Sequence, residues 1–138
     1  MLKTSLFLVG FILLIGFAQS SLAFASDIAL TPPTLVTISG QKISDFHVGQ
    51  QIGVESTLTN NGKSEQGFTY LVQVENSNGK TDFLEGFSAS MLPNQSFTAS
   101  QVWIPKDIGQ YTIRVFVWDS LSSAIPLTDV LETSIKVN

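Results

Sequence analysis

The chain has no cysteine and only one histidine, His47. Without cysteine no disulfide can join two sheets or staple a loop, so the core has to hold by packing alone. With one imidazole and no thiol, the usual transition-metal sites and nucleophile–base pairs cannot be assembled within one chain. Charge is also scarce, at 13% of residues, with 7 basic against 11 acidic side chains. A surface without a basic surplus argues against nucleic acid or anionic lipid as a partner. Helical periodicity is missing too, since no window of a dozen residues repeats its apolar positions every 3.6 residues.

The only long apolar run lies at the start. Met1-Leu2-Lys3-Thr4 provides a short basic opening, Leu6 to Phe17 an unbroken apolar stretch, and Ala23-Phe24-Ala25 an A-x-A cleavage site. These are the three parts of a secretory signal peptide. The run ends at Gln19-Ser20-Ser21, short of the roughly 20 apolar residues that a membrane-crossing helix needs. The expected organisation is therefore a leader over residues 1–25, an extended segment over 26–33 and one domain over 34–138. Removing Lys3 with the leader leaves a net charge of −5 on the remainder. No membrane insertion is expected after cleavage.

Beyond Pro33 apolar and polar residues alternate with period two, which predicts an all-β fold. Strands are expected over Leu35–Ser39, Gln51–Asn60, Gly67–Asn76, Lys80–Phe87, Gln95–Ile104, Gln110–Trp118 and Leu131–Val137. Pro32-Pro33 stops the first edge from extending. Asn78-Gly79 predicts a hairpin with a type I′ turn, and Leu92-Pro93-Asn94 another turn. Seven strands with turn signals about every ten residues fit an immunoglobulin-like antiparallel sandwich. Its clearest marker is Asp107-Ile108-Gly109-Gln110-Tyr111, which leads into a strictly alternating strand as a tyrosine corner does. In that corner the Tyr111 hydroxyl returns to the backbone of the preceding loop, and the Asp107 carboxylate accepts from nearby backbone amides.

These stretches carry a resemblance. Leu58-Thr59-Asn60-Asn61-Gly62, Phe68 to Val74, Leu92 to Pro105 and Gly109 to Ser120 resemble CARDB-type domains, the cell-adhesion-related Ig-like modules of prokaryotic secreted and surface proteins. The likeness is to the version found in exported proteins of ammonia-oxidising archaea in particular. It implies a seven-stranded, fibronectin-III-like sandwich in an extracellular setting and supplies no catalytic residue. Family members often occur as repeats, whereas this chain holds one copy, which weighs against adhesion by a multivalent array.

For chemistry the sequence offers little. His47 lies in a turn-like stretch without a nucleophile-elbow motif and is expected to be a solvent-exposed loop residue. The carboxylates are scattered singly, with no D-x-D-x-D calcium loop; Asp119 and Asp129, which flank the irregular stretch Ser120 to Asp129, are the one pair placed to share a calcium ion with backbone carbonyls. No cofactor is expected. If Tyr111, Ile113, Val115 and Val117 point inward, period two sends Arg114, Phe116 and Trp118 outward. By the same rule Leu71 and Gln73 face out from the neighbouring strand. An exposed apolar cluster of Leu71, Phe116 and Trp118 edged by Gln73 and Arg114 is the expected binding surface. Asn94-Gln95-Ser96 is an N-glycosylation sequon in a turn. The function expected is that of a secreted, non-enzymatic binding or adhesion module that presents this aromatic face, or the loop from Ser120 to Asp129, to a surface or envelope protein or glycan. The alternative is a self-associating structural subunit of an envelope or filament, in which the Ser26 to Thr34 segment adds to a neighbour's sheet edge. A hydrolase or metal-dependent enzyme is the remaining class.

Overall fold

The computed structural model describes residues 26–138, so the expected leader over 1–25 lies outside the described residues. Eight strands form two antiparallel sheets: β1 (Ile28–Leu30), β2 (Thr34–Val36), β3 (Ile52–Asn60), β4 (Gln66–Asn76), β5 (Thr81–Met91), β6 (Ser96–Trp103), β7 (Gly109–Trp118) and β8 (Leu131–Val137). In the first sheet β1 and β2 pair with successive stretches of β3, and β6 pairs with the other side of β3. The second sheet runs β5-β4-β7-β8. Because β1 and β2 share one edge, interrupted at Pro32-Pro33, the eight segments occupy seven strand positions. The Ser26 to Thr34 segment is thus part of its own sheet, with Ile28 opposite Asn60 and Leu30 opposite Leu58, rather than a free arm.

Alternation sets the core. Ile52, Val54 and Leu58 from β3 meet Phe68, Tyr70, Val72 and Val74 from β4 and Tyr111, Ile113, Val115 and Val117 from β7, all buried. Fully burying a side chain of this size contributes about 1.5 to 3 kcal/mol, and no covalent link joins the sheets. At one pole Trp103 and Tyr111 meet at a centroid distance of 4.9 Å. The Tyr111 hydroxyl donates to the Asp107 carbonyl oxygen at 2.8 Å. Gly109 has a φ of 142°, a backbone region that side-chain-bearing residues rarely adopt. The Tyr111 hydroxyl therefore returns to the loop backbone as expected, whereas the Asp107 carboxylate, expected to accept from nearby amides, is not the acceptor there; its carbonyl is.

Three local features depart from the sequence reading. The β4–β5 turn is not type I′, because Asn78 keeps a negative φ and only Gly79, at 77°, is left-handed. The Asn76 side-chain oxygen accepts from the Asn78 and Lys80 amides, each at 3.0 Å. That clamp fits a three-residue loop closed by a glycine bulge. β5 continues four residues past Phe87 because Ser88 to Met91 still pair with β4. Asn60 is buried, not simply a strand end. Its side-chain amide donates to the Ser64 and Met91 carbonyls at 2.9 and 3.0 Å, and its oxygen accepts from the Gly62 amide at 2.9 Å.

The core also holds two neighbouring hydroxyls, on Ser56 and Tyr70, neither of which completes a hydrogen bond of good geometry. Burial pushes the Tyr70 phenol up to about 12; Ser56 pulls it down and the Glu55 carboxylate adds to the rise. The unfolded phenol ionises near 10, so below that pH the shift has no effect, and stability is lost as pH rises from there through 12. The loss amounts to about 3 kcal/mol at most. Tyr70→Phe removes an unsatisfied buried donor, so chemical denaturation at pH 7 should show no loss and a gain of up to about 1 kcal/mol. The same variant should flatten the stability decline above pH 10.

Candidate functional site

The outer face of β4, β7 and β8, with the β7–β8 connection, carries the side chains singled out from the sequence. Facing was read correctly: Tyr111, Ile113, Val115 and Val117 are buried, while Arg114, Phe116 and Trp118 alternate with them on the outside. Phe116 and Trp118 lie side by side with ring centroids 5.4 Å apart. Both are half-buried.

Leu71 corrects the expectation of an exposed cluster, being only 6% exposed. It pairs with Phe116 on one side and Gly86 on the other. A Cβ at Gly86 would run into the Tyr70 carbonyl oxygen and meet Leu71 Cδ2, so the missing side chain is what lets Leu71 lie flat against β5. Thr69, next along the same face, is also buried, with its hydroxyl 2.6 Å from that of Ser88. Gln73 donates to the Thr81 hydroxyl at 2.9 Å. Arg114 is engaged on both sides, its Nη1 2.9 Å from Glu75 Oε2 and its Nε 3.0 Å from Glu132 Oε2. Both contacts hold the guanidinium in its charged form and push its pKa up. The polar rim is therefore a cross-strand ionic row that braces three strands.

The loop beyond β7 folds back on the sheet. Leu127 donates its amide to the Val117 carbonyl at 2.8 Å, Asp119 donates to Ile125 at 2.9 Å, and Trp118 bridges to Pro126. Asp119 Oδ1 organises the turn, accepting from the Ser123 hydroxyl at 2.6 Å and from the Ser120 and Ile125 amides at 2.6 and 3.0 Å. These bonds, led by the one from Ser123, lower the Asp119 pKa. Its Oδ1 is thus engaged within the loop. Among the described residues no three His, Cys, Asp or Glu side chains lie close enough to hold a metal ion. Leu121 and Ile125 stand 63% and 57% exposed in this loop, the other contact surface expected from the sequence.

Elsewhere, His47 is exposed; its backbone amide donates to Gln50 Oε1 at 3.0 Å and its carbonyl accepts from the Gln50 amide at 3.2 Å. Asn94 is exposed with a φ of 64°, at the third position of a turn closed by Gln95 donating to Leu92. The sequon's Ser96 hydroxyl is held 2.9 Å from that of Thr59.

A family model described as S-layer A-like matches residues 13–138. No curated protein sequence matches the chain. Among solved structures, the CARDB domain of a Pyrococcus furiosus protein in complex with di-metal ions superposes with a TM-score of 0.58 at 17% identity, covering 80% of this chain and 92% of that one. The C-terminal domain of wzt gives 0.62 at 8% identity, covering 84% and 76%. An alkylpurine DNA glycosylase from Pseudomonas fluorescens gives 0.57 at 11% identity, covering 82% of this chain and 31% of the enzyme. At these identities the likeness is one of fold, and it bears out the CARDB, Ig-like sandwich.

Asp119→Ala should loosen the loop without unfolding the sandwich. Amide hydrogen exchange at Ile125 should accelerate about tenfold, with strand protection unchanged. Because the folded pKa of Asp119 is lowered, this contribution is present above the ordinary carboxylate value of 3.8 and lost as pH falls through the folded value. The unmodified chain should therefore show the same loosening in strong acid.

Proposed function

Since the chain belongs to the S-layer A-like family, we propose that it is a secreted, non-enzymatic structural or binding module of the cell envelope, whose work is contact with a neighbouring surface macromolecule. The observation that supports this reading is the coincidence of the family match, residues 13–138, with a single self-contained sandwich over the described residues. The family match spans the whole of the sandwich. Adhesion in the narrower sense would use the outer stripe of Phe116 and Trp118 together with Leu121 and Ile125. These supply the aromatic and aliphatic surface from which recognition patches are made.

An antibody against the sandwich should label the outside of intact cells that make the protein. Label confined to the cytoplasm overturns the reading. Adhesion through the aromatic stripe is tested separately by Trp118→Ser, which should leave the melting temperature within a few degrees and cut retention of the chain on isolated envelopes about tenfold. Unchanged retention removes the stripe as the contact.

A further inference from the structure

The sandwich is closed along one side and open along the other. On the closed side, the stretch after β2 covers the β2 edge through Ile43 donating to Leu35 and the Val36–Lys42 bridge. It then covers β8 through Phe46 and Val48, which bond Asn138 and bridge Val137. On the open side lie β5 and β6. Asn60 donates to the Gln95 carbonyl, so along β6 the residues in phase with Gln95 turn their peptide groups toward β3, and Thr98, Ser100 and Val102 turn theirs to the free edge. Not one residue from Gln95 to Pro105 is charged. Free edges are normally guarded by charge, proline or cover, and β6 has none of these between Ser96 and Ile104.

Beneath that edge the inner face of β5 lacks a partner. Phe83, Glu85, Phe87 and Ala89 pair with Val74, Val72, Tyr70 and Phe68 and so share the core-facing side. Yet Glu85 and Ala89 are exposed and the two phenylalanines only partly buried. The first sheet has no strand next to β6 to lie over them. Phe87 and Phe97 close one end of the resulting slot with ring centroids 5.7 Å apart. At the other end a groove of about 430 Å³ opens between Asp82, Phe83, Val102, Ile104 and Asp107, with Lys106 at its lip.

We propose that this slot receives an extended segment of another envelope protein, which adds to β6 as an antiparallel strand and lays its inward side chains on Phe83 and Phe87, with a lysine or arginine facing Glu85. Backbone bonds to Thr98, Ser100 and Val102 would supply affinity, and the alternate side chains specificity. The charge of the occupant follows from the acids at the slot, Asp82, Glu85 and Asp107, against Lys106 alone. A second copy fits poorly: its own β1 is paired and preceded by Asp27, and edge-to-edge pairing of two β6 strands would bring the two projecting β5 strands together. The inference rests on the reading of the chain as an envelope contact module, but its test uses purified components and can fail while surface labelling stands.

The probe is a capped nine-residue peptide of valines alternating with threonines, with lysine at the central valine position, compared with its glutamate counterpart by fluorescence anisotropy against the purified chain. The lysine peptide should bind at least tenfold more tightly, with amide resonances of Thr98, Ser100 and Val102 shifting on titration. Glu85→Lys should reverse the order of the two peptides. Ser100→Pro removes an edge donor that the protein's own ladder does not use and should weaken binding at least tenfold. N-methylation of the peptide's alternate amides should do the same without altering the protein. No saturable binding, equal affinity for the two peptides, binding indifferent to N-methylation, or a concentration-dependent dimer broken by Ser100→Pro would each overturn the proposal.

Discussion

Everything in this fold depends on one apolar layer between two sheets that no covalent bond joins. Val54 and Leu58 on one side and Tyr70, Val72, Ile113 and Val115 on the other are wholly buried, and strict period two is what brings them to the same layer. A slip of one residue in any central strand would exchange this layer for the polar face. Secondary ties are local: the Tyr111 corner at one pole, and at the other Asn60, whose backbone and side chain bond Gln95, Asn94, Met91, Ser64 and Gly62. These two poles hold the loops that a cystine would otherwise discipline.

The treatment of the edges gives the molecule its asymmetry. Residues 41–48 close one flank, while on the other β5 protects itself with an inward-facing carboxylate and β6 does not. An unpaired carboxylate on a core-facing position disfavours pairing with a copy of the same acidic chain, because it would meet its own likeness or be stripped of water. Such an edge can still accept a strand that brings the opposite charge. Guarding against self and admission of a partner are then two results of one side chain.

Much of this was legible in the residue order. The alternation of β7 and β4, the corner and the strand positions all follow from local pattern, which a sandwich reads out directly. What escaped depends on contacts between distant residues. Leu71 was assigned the correct face yet is buried, because its cover comes from the absence of a side chain at Gly86, fifteen positions away. Asn76 competes with the backbone for the amides of its own turn and so overrides the usual Asn-Gly geometry. Ser88, Ala89 and Ser90 of β5 are polar or small and lie on an edge, where burial imposes no alternation; of the last four residues only Met91 is buried. β1 is only three residues long, and its pairing to the end of β3 leaves no periodic trace. The candidate surface fared likewise: the aromatic pair was visible, but the ionic row at Arg114 was not.

The described chain enters at the pole where Ile28 faces Asn60 and leaves at the opposite pole, where Val137 faces Gly109. A sandwich held by neighbours at these two points would feel tension along its strand axes. Pulling would then slide β1 against β3 and β8 against β7, so that the bonds of each ladder resist together instead of unzipping in turn. With Ile28 and Val137 at opposite poles, such a load would set the β1–β3 and β7–β8 ladders in shear.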